Sequence, residues 1–153
     1  MRRVVITGLG IISPIGNSTA EVESNLRAGK SGIVFAPDYA EHGFRSQVKG
    51  QPNIVLEDHI DKRDLRFMGP GAAYNFLSMQ QAISDAGLEQ SDISNERTGL
   101  IMGSGGPSTS NFFLAHQTVI EKARQNAWVL SWLPAACRRQ TLHVWLRLFK
   151  SKA

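Results

Sequence analysis

Two glycine-rich stretches, Gly8-Leu9-Gly10 and Gly103-Ser104-Gly105-Gly106, are the places where this chain could meet a ligand through its backbone. With no side chains in the way, consecutive N–H groups can face an anionic group, although a glycine turn can equally serve only to turn the chain. Nucleophilic chemistry is sparse. Cys137 is the single thiol, which excludes an intramolecular disulfide and a cysteine-based metal cluster.

The elements that must position these residues alternate strand and helix signals, the pattern of a layered α/β domain. Val4 to Thr7, extended by Leu9, Ile11 and Ile12, is nearly continuous in apolar character and predicts a strand buried on both faces at the sheet's centre. Ser18 with Glu21 makes a capping-box pattern, Val22 and Leu26 share a face, and Gly29 supplies a left-handed stop, so a helix is predicted over 19–28. Residues 30–60 read as loop-rich. A longer helix starts near Pro70, carries Ala72, Phe76, Met79, Ile83 and Ala86 on one stripe, and ends at Gly87. Gly99 to Met102 predicts a second buried strand that runs into the second glycine turn.

Strand, Gly8-Leu9-Gly10 and helix in that order match the start of a Rossmann unit, which makes a nucleotide-binding oxidoreductase one alternative. The match is poor. Ser13 stands where the third glycine belongs, a proline follows at once, and no acidic residue closes a second strand at the spacing a ribose contact requires. A tight bend with close helix packing accounts for Gly8 and Gly10 without a nucleotide.

Charge divides the chain. Residues 1–121 hold ten Lys and Arg against thirteen acids, whereas 122–153 hold seven Lys and Arg and no acid. All fourteen glycines lie at or before Gly106, and the three tryptophans, Trp128, Trp132 and Trp145, all follow Glu121. The basic pI therefore belongs to the tail, and the body offers no patch for nucleic acid or anionic lipid. The N-terminal apolar run is broken by Gly8, Gly10, Ser13 and Pro14, too soon to span a bilayer, and no leader cleavage pattern follows. A cytoplasmic protein is the expectation.

Five segments are more specific together than apart: RRVVITGLGIISPIGN at the start, LRAGKSGI at 26–33, IDKRDLRFMGPGAAY at 60–74, AISDAGL at 82–88 and RTGLIMGSGG at 97–106. In this order and spacing they resemble the N-terminal part of the β-ketoacyl-acyl carrier protein synthases, particularly the type I elongating enzymes of bacterial fatty-acid synthesis. The resemblance implies an incomplete thiolase-like α/β fold, the first part of an N-terminal βαβαβαββ half, in a family that works as a homodimer without a cofactor. It also implies acyl carrier protein as partner, and neither nucleic acid nor membrane.

The resemblance further implies a reaction. A cysteine at a helix N-terminus takes the acyl chain as a thioester, and two histidines help to decarboxylate malonyl-acyl carrier protein, whose carbanion attacks that thioester. Those three positions lie beyond the matched segments, so no catalytic residue is assigned and the isolated chain is expected to be inactive. His42, His59 and His116 fall outside the catalytic segments, and Cys137 lacks the family's surrounding sequence. By the same resemblance Lys62, Arg63 and Arg66 match basic positions that dock the acidic carrier protein. Their plainer reading is a solvated helix start with Asp61 and Asp64 as partners. Gly105 and Gly106 match a turn near the acyl pocket and dimer interface, although Pro107 departs from the glycine or serine found there in some relatives.

The expected division is a partial synthase domain over 1–121 and an aberrant tail over 122–153. Read one base out of frame, Gln125 to Leu130 can be recoded as KRVGP, with the glycine forced by Trp128 followed by Val129, and the family has that string here. From Ala136 to Ala153 the same frame permits MSSTNSACLATPFQIKG, which resembles the stretch before the family's nucleophile. A single-base frameshift near codons 121–123 explains both, with the chain stopping at a terminator in the wrong frame. The alternative is that Trp128, Trp132, Leu133, Leu142, Trp145, Leu146 and Phe149 form a basic amphipathic helix for a membrane or carrier protein. Pro134 interrupts that pattern.

Overall fold

The computed structural model describes residues 3–122, in two compact units. The first gathers residues up to Val55 together with Ser78–Ala86; the second gathers Leu56–Leu77 and the residues from Gly87 onward. The tail from residue 123, and with it Cys137 and the three tryptophans, lies outside the described residues.

In the first unit, helix α1 spans Thr19–Arg27. Ser18 caps it by accepting the Glu21 N–H, and Glu21 reaches back to the Asn17 N–H at 2.8 Å, one residue beyond the reciprocal partner a capping box would use. Gly29, at φ 64°, ends the helix as its position suggests. The stretch expected to be loop-rich contains a small antiparallel ribbon. Strand β1 (Ile33–Phe35) pairs with β2 (Val48–Gly50), Val34 opposite Lys49, and the short helix α2 (Pro37–Glu41) sits in the connection. Ala36 is fully buried at the turn into α2, and its N–H donates to the Gln47 carbonyl, extending the ribbon by one bond. Lys49 pairs with Asp38 at 3.3 Å. Desolvation opposes ionisation of Asp38, but the hydrogen bond and charge of Lys49 outweigh it and hold the carboxyl below its ordinary range.

In the second unit a 3-10 turn (Leu56–Asp58) precedes helix α3 (Lys62–Leu65), and α5 (Gln90–Ile93) is followed by α6 (Thr109–Lys122). The long helix α4 runs over Pro70–Asp85, with Gly87 at φ 64° just past its end, as its proline and glycine signals predict. Ala72 and Phe76 of the anticipated stripe are buried, and Ala73 and Leu77 join them, so the apolar face is wider than one row. Ile60, Met68 and Ile93 are the other buried apolar residues among those described in this unit.

Both expected central strands require correction. Val4 to Thr7 forms no strand and is exposed, Val4 by 93% and Ile6 by 82%; Gly99 to Met102 forms none either, with Ile101 97% exposed. The only sheet among the described residues is the β1–β2 ribbon. A strand buried on both faces needs ladder partners and covering layers from distant sequence, and an apolar run cannot provide these for itself.

Candidate functional site

The first glycine stretch serves packing. An added Cβ at Gly8 would overlap the Ala82 carbonyl oxygen and one at Gly10 the Ser78 carbonyl oxygen, both backbone atoms of α4. The chain therefore runs directly against the helix, which only glycine permits. Its amides are taken from the helix side: the Leu9 N–H donates to Asp85 Oδ2 at 2.9 Å and the Ile11 N–H to Gln81 Oε1 at 3.0 Å. Gln81 then donates through Nε2 to the Asn17 carbonyl at 2.7 Å. With those two amides committed to α4, neither Leu9 nor Ile11 has its N–H left to meet a phosphate as the Rossmann alternative would need.

Gln81 and Asp85 were missed by sequence reasoning. Their spacing of four places both on one helix face, beside Ser78 and Ala82, and two polar residues on a face otherwise made of small residues was the available signal.

The second glycine stretch is open. Residues 105 and 106 form a bend, and Ser104 Oγ donates to the Gly106 carbonyl at 2.7 Å. A Cβ at Gly105 or Gly106 would meet nothing within 4 Å, and neither residue has a positive φ, so the described residues place no steric or conformational demand for glycine there.

Lys62, Arg63 and Arg66 come together on and just after α3, all exposed. Asp61 sets the start of that helix by accepting the Arg63 N–H at 2.7 Å. The Arg66 guanidinium lies over the Phe67 ring, 4.6 Å from its centroid, while the residue as a whole stays exposed. Among the described residues the ion pairs are Arg27–Glu23 and Lys49–Asp38, so Asp61 and Asp64 do not pair with the three cations as the plainer reading expected. Lys62 and Arg63 on α3 and Arg66 just after it thus present three exposed positive charges without an ion pair, an arrangement that can attract an acidic surface.

His42 packs edge-on against Phe44, with ring centroids 6.3 Å apart, and His59 and His116 are exposed. No group of three metal-ligating side chains occurs among the described residues, nor any helix long and apolar enough to cross a membrane.

Comparison with known proteins adds the context of this geometry. Residues 1–137 match the family described as "Beta-ketoacyl synthase, N-terminal domain". The 3-oxoacyl-[acyl-carrier-protein] synthase 1 of Haemophilus influenzae is 50% identical over 119 residues, covering 78% of this chain and 29% of that protein. The chain thus spans under a third of the length of this curated relative. A beta-ketoacyl synthase crystal structure from Burkholderia phymatum superimposes with a TM-score of 0.79 at 25% identity, covering 99% of this chain and 38% of that one. A type II PKS ketosynthase, solved in complex with its acyl-carrier protein, shares the fold at a TM-score of 0.72 and 15% identity, over 98% of this chain and 39% of that one.

Proposed function

The chain belongs to the beta-ketoacyl synthase family through its N-terminal domain, and from that membership we propose that it is the N-terminal portion of a 3-oxoacyl-[acyl-carrier-protein] synthase of fatty-acid elongation. The observation that carries this is the 50% identity over 119 residues to a synthase of that activity. In the intact enzyme the carbanion left when malonyl-acyl carrier protein loses carbon dioxide attacks a cysteine-bound acyl thioester. A carbon–carbon bond forms and the cysteine thiolate leaves. The nucleophile and the two histidines belong to sequence beyond the matched segments, so this chain performs no condensation by itself.

Its own contribution is the docking surface of Lys62, Arg63 and Arg66, whose exposed charges steer the acidic carrier protein and fix its register. By the family's turn at this place, Gly105 and Gly106 border the acyl pocket near the homodimer interface of the complete enzyme, and among the described residues a Cβ at either would meet nothing within 4 Å. The protein works in the cytoplasm without a cofactor. Two assays on one sample test this: product formation from acyl and malonyl carrier protein, and salt-sensitive binding of acyl carrier protein. Binding without turnover is expected; turnover abolished by Cys137→Ala would overturn the reading.

The synthase domain ends at residue 121 in this reading, and 122–153 is a frameshifted tail. The abrupt change in charge supports that division, while the family match reaches residue 137. The nucleotide sequence from codon 115 onward decides it: a one-base shift near codon 122 should open synthase-like sequence, and its absence from both other frames would sink the idea.

A further inference from the structure

We propose that the outer edge of β1 is a self-association surface, at which Ile33–Phe35 pairs antiparallel with the same three residues of a second copy of this chain. The register of the ribbon fixes which backbone groups face outward. The Ala36 N–H donates to the Gln47 carbonyl, which makes that pair a hydrogen-bonded one, and bonded pairs alternate along an antiparallel ladder. Val34 with Lys49 is therefore bonded, whereas the N–H and C=O groups of Ile33 and Phe35 point away from β2. The Ile33 N–H agrees with this, since it donates to Ser31 Oγ at 3.1 Å. The Phe35 N–H and the Ile33 carbonyl have no hydrogen-bond partner among the described residues.

Those two open groups match each other across a two-fold axis at Val34. Each copy's Phe35 N–H then donates to the other copy's Ile33 carbonyl, so two bonds form without breaking one, and the ribbon becomes a four-stranded sheet. Phe35 comes to lie beside the second copy's Ile33, an aromatic and β-branched cross-strand pair. Ile33, Val34 and Phe35 are 58%, 52% and 59% exposed, so each has apolar surface to remove from water. Charge selects this edge and a copy of itself as occupant. Ile33–Phe35 carries no charge, and Val34 meets Val34 at the axis, with Cα atoms ~4.5 Å apart in a non-bonded pair. The same operation on β2 would set Lys49 against Lys49, and like charges directly opposite one another destabilise, which is how a lysine guards an edge. Three residues from each copy make a small contact, so the association is weak and depends on concentration.

Sedimentation velocity of the full chain over a concentration series tests this, alongside amide exchange at Phe35. A monomer–dimer equilibrium is expected, with exchange at Phe35 slowing as the dimer fills. Val34→Lys and Val34→Glu each place two like charges at the axis and should weaken self-association by at least about fivefold. Circular dichroism of each variant should match the unaltered chain, because Val34 is exposed. Mixing the two variants opposes a lysine with a glutamate and should restore dimer, which a merely damaged ribbon would not do. A chain that stays monomeric, a dimer indifferent to both variants and so formed through another surface, or a mixture that associates no better than either variant alone would each overturn the proposal.

Discussion

Gln81 binds Ile11 and Asn17 at once, accepting the Ile11 N–H at 3.0 Å and donating to the Asn17 carbonyl at 2.7 Å across sequence separations of 70 and 64 residues. One amide side chain thus fastens the N-terminal segment to α4 on either side of the Ser13–Gly16 turn, where the two residues exchange backbone bonds of 2.9 and 3.2 Å. Gln81→Ala should lose both bonds and cost about 1–3 kcal/mol. Gln81→Glu keeps the acceptor but sets a carboxylate against the Asn17 carbonyl, so it should not rescue. Amide exchange at Ile11 measures this, and unchanged exchange in both variants would show that the glycine track holds the segment unaided.

The two glycine stretches should respond oppositely to alanine. Gly10→Ala drives a methyl group into the Ser78 carbonyl and should destabilise by about 1–3 kcal/mol or more, as overpacking against backbone does. Gly105→Ala and Gly106→Ala meet open space and should stay within about 0.5 kcal/mol in this chain. If the acyl pocket assignment is right, the same two changes in a full-length synthase should shorten the acyl chains it accepts. Urea titration and product-length analysis read the two halves of this prediction.

Charge reversal at Arg63 and Arg66 should weaken acyl carrier protein binding mainly through the association rate, with an effect that fades as salt rises. Each exposed contact is worth about 0.2–1 kcal/mol, so the double variant should lose several-fold in affinity while the fold is unaffected. Stopped-flow binding at two ionic strengths is the measurement. Salt-independent binding equal to the unaltered chain would remove α3 from the docking surface.

Phe76 is 8% exposed on α4, whereas Ile101 is 97% exposed. Phe76→Ala should cost about 3–5 kcal/mol, comparable with the whole stability of a small domain, and Ile101→Ala should cost nothing measurable. Comparing their thermal melts tests whether the apolar core of this chain lies in the helices and not in the anticipated strand at 99–102.

The helices were legible because their signals are local. Ser18 and Glu21 sit within four residues of each other, Gly29 and Gly87 need only their own φ, and the Pro70 start and the apolar spacing of α4 are read from consecutive turns. The family too was legible in the order and spacing of five short segments, since it depends on residue identity and not on contacts. The basic cluster could be placed on a helix start from Asp61 alone, but only the tertiary structure established that Asp61 and Asp64 leave its charges unpaired.

Tertiary structure alone decided the two strands and the glycines. Val4–Thr7 and Gly99–Met102 carry strand composition, yet a strand exists only where another backbone accepts its hydrogen bonds, and none of the described residues does so. The need for glycine at positions 8 and 10 is a distance to α4 some 70 residues away, which no turn signal around Gly8 records. What the sequence by itself determined was the set of locally closed elements and the family; how the long-range edges are satisfied, by Gln81 and Asp85 at one place and by none of the described residues at 4–6, follows from which distant groups reach the backbone.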